Sequence, residues 1–276
     1  MPELPEVQTL VDDLNAAGLA GRRVVETQVF WPRTIALQTP EEFATLIRNR
    51  QIHRIRRRAK FIIFELDRGF YLLVHLRMTG RFHLYSKTGD YLKHEHVSIR
   101  LDDGRELRYH DTRKFGRFYL TEDANRIIGQ LGLEPLADDF TFERFAATIQ
   151  KHKRQIKPLL LDQTVIAGLG NIYVDESLWE ARIHPEKIAA SLSRRKLRAL
   201  HAAIPDALRK GLRNMGTTLG SGKANFYSVA RRRGRNQDHL NVFRRTGQRC
   251  PRCGNPIRRL IVGQRSTHIC PKCQRK

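Results

Sequence analysis

Short apolar runs dominate residues 24–120, and most of them have the length and composition of β-strands. They are rich in β-branched and aromatic residues, and turns such as DRG, MTG and DDG separate them. The runs are KFIIFEL (60–66), FYLLVHL (70–76), RFHLY (81–85), HVSIRL (96–101) and RFYLT (117–121). Regularly spaced short strands of this kind predict a β-sandwich or a barrel.

The apolar spacing becomes helical near the N-terminus and again in the middle of the chain. Apolar residues from Val7 to Leu14 recur every three or four positions, and Gly18 is placed to end this helix. Further helices are predicted over FERFAATIQ (142–150), NIYVDESLWEAR (171–182), SRRKLRALHAAI (193–204) and DALRKGLRNM (206–215). Pro205 should kink or split the last pair. Residues 217–247 lack any period and are expected to form a mobile basic loop.

The order of these patterns predicts an α+β protein in three parts. We expect a β-sandwich with flanking helices over residues 1–135, a helical domain over 136–235 and a compact cysteine module over 236–276. A chain of 276 residues is long enough for more than one part with its own core.

The charge balance points to a polyanionic partner. The chain has 51 Lys and Arg against 28 Asp and Glu, which gives a net charge of +23. Because basic runs occur in separate segments, a shared footprint for phosphates is favoured over several solvated faces. The runs are HRIRRRAK (53–60), KHKRQIK (151–157), SRRKLR (193–198), ARRRGR (230–235) and the C-terminal tail.

A membrane surface is the competing polyanion, and the sequence does not favour it. No stretch approaches the ~18 apolar residues of a membrane-spanning helix, and the N-terminus lacks the layout of a signal peptide. A cytosolic location is therefore expected. The four cysteines should be reduced there, which argues against a disulfide framework.

The cysteines have the spacing of a zinc site. Cys250, Cys253, Cys270 and Cys273 form C-x2-C-x16-C-x2-C, which fits a tetrahedral four-cysteine site at the base of a β-hairpin. A redox dithiol is the alternative, and the two matched pairs argue against it. A closed structural site implies no catalytic role for the metal. The tip of the hairpin would present Arg265 to a ligand, or simply to solvent.

Two segments could place apolar and basic side chains in DNA. In an extended HDTRKFG segment (110–116), Arg113 and Phe115 project to one side and Lys114 to the other. Met78, in the turn LRMTG, is another apolar side chain at a loop tip. Apolar wedges of this type unstack and kink DNA. Burial beneath the loops is the alternative for Met78 and Phe115.

The N-terminal Pro2-Glu3 suggests a nucleophile. Removal of Met1 would make Pro2 a secondary amine, and α-amino groups titrate near ~8 against ~10.4 for lysine. Roughly a hundredfold more free base is then available at neutral pH than for an ordinary lysine. Such an amine condenses with an aldehyde-level carbon to a charged iminium, and Glu3 could transfer protons.

These features together resemble the formamidopyrimidine-DNA glycosylases, bacterial base-excision enzymes. The resemblance covers essentially the full length, through PELPEV, RRAKF, HLRMTG, KHEHV, DTRKFG, IKPLLLDQ, GLGNIYVDESLW, IHP and the cysteine module. The family fold that this implies is an N-terminal catalytic β-sandwich, a helix–two-turn–helix DNA-binding domain and a zinc ribbon.

The resemblance also implies roles for individual residues. Pro2 matches the nucleophile, Glu3 the proton donor, Lys60 the lysine of β-elimination and Arg265 the arginine of δ-elimination. Met78, Arg113 and Phe115 match three residues that fill the gap left by a flipped nucleotide. The positions that match contacts to the DNA backbone are His94, Lys157, Asn171 and His152, with Lys153 beside the last.

The implied function is excision of oxidised purines, 8-oxoguanine and formamidopyrimidines, from damaged double-stranded DNA, followed by β,δ-elimination. One structural zinc ion, a monomer and a nucleoid-associated, cytoplasmic bacterial enzyme are expected. The alternatives are an endonuclease-VIII-type glycosylase for oxidised pyrimidines and a zinc-ribbon DNA binder without catalysis. Leu4, Met78, Arg113 and Phe115 favour the purine branch. The chain departs from the usual family residues at Gln8, Arg77, Thr112 and His152.

Overall fold

The computed structural model describes residues 1–219 and 226–276, and the chain divides into two compact units. The first unit comprises Met1–Gly129 and Asn214–Gln237, and the second comprises Gln130–Arg213 and Asp238–Lys276. The segment 214–237 thus belongs with the N-terminal part. The three-part division along the chain stays a prediction.

The first unit contains two four-stranded antiparallel sheets that share one core, which confirms the predicted sandwich. The strand orders are β1-β6-β7-β5 and β2-β3-β4-β8. The strands are β1 Val24–Val29, β2 Ile52–Arg58, β3 Phe61–Leu66, β4 Tyr71–His75, β5 Arg81–Tyr85, β6 Glu95–Leu101, β7 Glu106–His110 and β8 Arg117–Thr121.

Aromatic side chains from both sheets meet between them. Phe64 on β3 lies 6.3 Å from Phe82 on β5, and Phe82 lies 6.0 Å from Phe118 on β8, as distances between ring centroids. All three are buried within the same apolar cluster. Burial of aromatic side chains at this density fixes how the sheets face each other, and therefore where the loops at their ends lie.

Three strands and three helices were missed by sequence reasoning, the helices being Pro40–Ile47, Asn125–Ile128 and Ile156–Leu161. β2 has the sequence IHRIRRR, in which only Ile52 and Ile55 are buried, so its basic residues concealed a strand. β1 and β7 were missed as well. Helix α2 (Pro40–Ile47) is short but well capped, because Thr39 and Glu42 form a reciprocal capping box.

Helix α1 spans Leu4–Ala16 and packs on β2 and β3. It begins where Pro5 and Glu6 predicted, with Glu3 as the N-cap, and Gly18 follows its end with φ +67°. Short helix α3 (Asn125–Ile128) closes the continuous part of this unit.

The basic stretch 226–237 is anchored to α1, in contrast to the mobile loop expected from its sequence. The Asp13 carboxylate accepts a hydrogen bond from the amide of Ala230 at 3.1 Å and pairs with Arg232 at 2.6 Å. Val229 is buried in the core of the sandwich. Residues 220–225 lie outside the described residues.

The second unit combines four helices with a C-terminal hairpin. Its elements are α4 Phe142–Gln150, α5 Ile156–Leu161, α6 Asn171–Glu180, α7 Arg194–Arg213, β9 Arg258–Val262 and β10 Arg265–Ile269. The predicted split at Pro205 is wrong, because α7 runs continuously through it. Burial of Leu197, Leu200, Ile204 and Leu208 along one face stabilises the helix despite the missing N–H group. Among the described helices, none has the length and apolar character needed to cross a membrane.

Candidate functional site

The start of α1 places Pro2 and Glu3 in a fixed, buried setting. Pro2 is buried, and Glu3 has 3% of its surface exposed. The Glu3 amide donates to Glu6 Oε2 at 2.9 Å, and the amide of Thr217 donates to Glu6 Oε1 at 2.7 Å. Glu6 thus joins the N-terminus to the segment that precedes residues 220–225. Sequence reasoning treated Glu6 only as helix punctuation, although the i, i+3 spacing of a capping box marks it.

Lys60 lies in the turn between β2 and β3, and both strands pack against α1. Its side chain is buried, with 4% exposed. Burial, followed by the nearby charges of Arg77 and Lys60, lowers the pKa of His75 to about 3. His75 is therefore neutral at pH 7, and its Nδ1 accepts a hydrogen bond from the Arg77 amide at 3.0 Å. This contact ties β4 to the loop that follows it.

The structure brings Met78, Arg113 and Phe115 together at the surface. We call residues 76–80 the Met78 loop and residues 111–116 the Arg113 loop. Met78 is 42% exposed and Phe115 46%, so the alternative of burial is excluded. Arg113 Nη1 lies 2.8 Å from Met78 Sδ, and its guanidinium carbon lies 4.6 Å from the centre of the Phe115 ring.

The neighbouring residues extend this cluster. Lys114 lies apart from it, with its ammonium 3.7 Å from the centre of the Trp31 ring. The predicted side-chain directions hold, but the predicted extended conformation is wrong, because Thr112 and Arg113 form a turn and Lys114 has φ +58°. His94 is joined to the Arg113 loop through its backbone, because its carbonyl accepts from the Asp111 amide at 3.0 Å. Asp111 was not singled out from the sequence, since a lone acidic residue in a loop gives no signal of its contacts.

In the second unit, Lys157 and Asn171 converge on the hairpin. Lys157 is fully buried, and its Nζ lies 2.5 Å from Asp175 Oδ1 and 3.1 Å from the Ser266 carbonyl. Asn171 Nδ2 donates to the same carbonyl at 2.8 Å. Ser266 follows Arg265, which is exposed at the start of β10. Both residues therefore support the position of Arg265, and their contacts with DNA stay predictions.

His152 and Lys153 lie in the loop between α4 and α5. His152 is held by its backbone, since its carbonyl accepts from the Ala190 amide at 3.0 Å. Lys153 is exposed. This backbone contact helps to fix the position of the loop, and it does not involve the side chain of His152 or of Lys153.

The four cysteines are arranged as the ligands of a metal site. Their sulfur atoms all lie within 4.8 Å of one another, and this is the metal-ligating group found among the described residues. Burial, followed by the neighbouring Cys253 and Cys270, raises the pKa of the Cys273 thiol to about 12. Crowded thiols of this kind ionise together only when a cation neutralises them. Four sulfur ligands in this arrangement fit tetrahedral zinc.

Comparisons with known proteins agree with this arrangement along the whole chain. Residues 1–118 match the formamidopyrimidine-DNA glycosylase N-terminal domain, residues 131–222 match the H2TH domain of the same enzymes, and residues 247–275 match a zinc finger found in FPG and IleRS. The chain is 49% identical to the formamidopyrimidine-DNA glycosylase of Protochlamydia amoebophila and 48% identical to that of a Roseiflexus species, with 100% of each chain covered.

Solved structures give the same result. The fold is similar to that of a Lactococcus lactis FPG mutant in complex with Fapy-dG-containing DNA, with a TM-score of 0.91, 36% identity and 100% of both chains covered. It is also similar to Lactococcus lactis Fpg bound to DNA with an abasic site, with a TM-score of 0.90, 35% identity and 99% of this chain covered against 100% of the other. The chain belongs to the formamidopyrimidine-DNA glycosylase family.

Proposed function

We propose that this protein is a base-excision repair glycosylase that removes 8-oxoguanine and formamidopyrimidines from damaged double-stranded DNA and then cleaves the strand. The observation that carries the proposal is the exposed cluster of Met78, Arg113 and Phe115 in the same compact unit as Pro2 and Glu3. Membership of the family supports it, as do solved relatives bound to Fapy-dG and abasic DNA.

The chemistry begins at the N-terminus. A target nucleotide is flipped out because its C1′ atom is unreachable inside the base stack. With Met1 removed, the Pro2 amine attacks C1′, the bond to the damaged base breaks, and Glu3 donates the proton needed for ring opening of the sugar. The product is an iminium that joins Pro2 to C1′.

Strand cleavage then follows from the iminium, which acidifies the protons on C2′. Loss of a C2′ proton expels the 3′ phosphate, and a second elimination expels the 5′ phosphate, leaving a one-nucleotide gap. Lys60 is assigned to the first elimination. Arg265 is assigned to the second and to a phosphate contact, which agrees with its exposure on the hairpin.

DNA is held by a wedge and by backbone contacts. Met78 and Phe115 fill the space left by the flipped nucleotide, and Arg113 hydrogen-bonds the orphaned base. The residues assigned to the DNA backbone are His94, His152, Lys153, Lys157 and Asn171. Lys157 is fully buried, so we propose that it acts on the DNA indirectly. It bonds the Ser266 carbonyl and thereby holds the hairpin in place. The net charge of +23 supplies the long-range attraction.

A zinc ion fits the four cysteines, and a single structural ion without a chemical role is proposed. Cys250, Cys253, Cys270 and Cys273 would hold it with no open coordination position. Its contribution is to fix the hairpin that carries Arg265.

We further propose that the protein acts as a monomer in the bacterial cytoplasm, associated with the nucleoid. The pyrimidine-specific and non-catalytic alternatives are not favoured.

A borohydride trapping assay on abasic duplex DNA tests the proposal. Protein with an uncleaved N-terminal tag should trap about a hundredfold less than protein with a free Pro2, because the Pro2 nitrogen is then an amide that cannot attack C1′, and lysine side chains have far less free base. Pro2→Gly should also reduce trapping, while DNA binding persists in both variants. Cleavage of the tag to expose Pro2 is the control and should restore trapping. Equal trapping by the tagged protein would contradict the proposal.

A further inference from the structure

One buried carboxylate is bonded to both loops that carry the wedge. Asp111 is fully buried at the start of the Arg113 loop. Its Oδ1 accepts from the Thr79 hydroxyl of the Met78 loop and from the Arg113 amide at 3.1 Å. Its Oδ2 accepts from the amides of Phe115 at 2.8 Å and Gly116 at 2.9 Å. The Thr79 oxygen also accepts from the Arg113 amide at 3.2 Å, which closes a ring of bonds across the two loops.

The ends of both loops also lie against the same buried side chain, Tyr109. The Tyr109 hydroxyl donates to Asp111 Oδ2 at 3.2 Å. A Cβ atom at Gly80 would lie 2.3 Å from the Tyr109 oxygen, and a Cβ atom at Gly116 would lie 1.7 Å from it. Glycine is therefore required at both positions, because a side chain would collide with the Tyr109 hydroxyl. Each glycine places the end of one loop against Tyr109.

The loops adopt conformations that need such support. Arg77 in the Met78 loop has φ +54° and Lys114 in the Arg113 loop has φ +58°, which is the left-handed region that side chains disfavour. Residues persist there only where surrounding contacts determine the backbone. Burial alone would raise the pKa of Asp111, but hydrogen bonds from Thr79 and the loop amides hold that pKa below its usual range. The carboxylate is thus ionised at neutral pH, and its bonds are of the stronger, charge-assisted type.

We propose that Asp111 is a positioning residue that locks the Met78 loop and the Arg113 loop into one rigid wedge before DNA binds. This inference rests on the proposed insertion of Met78, Arg113 and Phe115 into the duplex. With the loops already ordered, insertion avoids the entropic cost of ordering two separate loop backbones. Thr79 links the Met78 loop to this carboxylate, since its hydroxyl touches both Asp111 and the Arg113 amide.

Fluorescence of 2-aminopurine placed opposite a tetrahydrofuran abasic analogue measures insertion directly, because the base brightens when it is unstacked. Thr79→Val keeps the size of the side chain but removes the hydroxyl that bonds the Met78 loop to Asp111 and to the Arg113 amide. We expect its fluorescence increase at saturating protein to fall at least threefold, with a smaller loss in trapping of a natural abasic site. Asp111→Asn should lose more of the fluorescence increase. In either orientation of the Asn amide, its nitrogen would face hydrogen-bond donors instead of acceptors.

Thr121→Val is the matched control, because the Thr121 hydroxyl also donates one hydrogen bond and accepts one from an amide, but both bonds are local, to Asp123, and lie away from the wedge. It should retain the wild-type fluorescence increase. A wild-type increase in Thr79→Val, or an equal loss in Thr121→Val, would overturn the inference. Failure of the proposed function is distinguishable, because it would appear as absence of trapping by the wild-type protein itself.

Discussion

The hairpin of the second unit and the wedge loops of the first unit present their exposed side chains in different ways. Arg265 lies on a hairpin that we propose is held by a metal ion in the four-cysteine site, together with the buried Lys157 and Asp175. The wedge depends on Asp111, whose partners all come from the chain itself. The first arrangement is conditional on a bound ion, whereas the second is complete when the chain folds.

Loss of a cysteine ligand should have the largest effect of the changes that distinguish the two regions. Cys253→Ser removes one of four sulfur ligands, and structural zinc contributes on the order of 10 kcal/mol to the folding of small metal domains. We expect zinc content to fall to near zero and the affinity for an abasic duplex to fall at least a hundredfold. Atomic absorption and fluorescence anisotropy measure the two quantities.

Pro251→Ala changes an exposed residue beside Cys250 and is the control for this variant. It should keep both zinc and affinity. If protein without zinc bound and cleaved DNA normally, the hairpin would not depend on the metal and the contrast between the regions would disappear.

The same contrast explains what sequence reasoning could find. The zinc site was predictable because its ligands are close along the chain and their spacing reflects tetrahedral coordination. The strands with continuous β-branched and aromatic runs were predictable for a similar local reason. Asp111 was missed because the role we propose for it depends on a contact with Thr79, which is 32 positions away in the sequence. Strand β2 was missed because its buried isoleucines are separated by charged residues.

Breaking the buried ion pair beneath the hairpin should have the next largest effect. Asp175 is 1% exposed and accepts bonds from Lys157 and from the His268 amide at 2.9 Å. Asp175→Asn leaves the buried Lys157 charge without its partner, which costs about 3–5 kcal/mol. We expect the midpoint of urea unfolding of the full chain to fall accordingly.

Asp139→Asn is the matched control in the same unit. Its pair with Arg144 is more than half exposed on both sides, so the change should cost less than about 1 kcal/mol. Equal shifts for the two variants would show that the pair beneath the hairpin contributes no more than a surface pair.

The smallest effect we predict concerns recognition by the wedge, and it also tests the substrate assignment. Arg113 is exposed and lies against Met78 and Phe115, where its guanidinium is free of acidic partners among the described residues. A near-bidentate contact with an orphaned cytosine is worth ~1–3 kcal/mol, which is about ten- to a hundredfold between opposite bases. Single-turnover excision of 8-oxoguanine should therefore be faster opposite cytosine than opposite adenine, and Arg113→Ala should remove most of this difference.

Lys114→Ala provides the matched control for Arg113→Ala, because it removes a neighbouring cation that points toward Trp31 and away from the wedge. It should keep the preference for cytosine. The same assay on thymine glycol duplexes tests the lesion class, since a pyrimidine-specific enzyme would excise thymine glycol faster than 8-oxoguanine. An advantage of tenfold or more for thymine glycol, about 1.4 kcal/mol in barrier, would contradict the assignment to oxidised purines. Specificity would then lie in the residues that surround the flipped base, while the wedge that Asp111 holds would serve only to open the duplex.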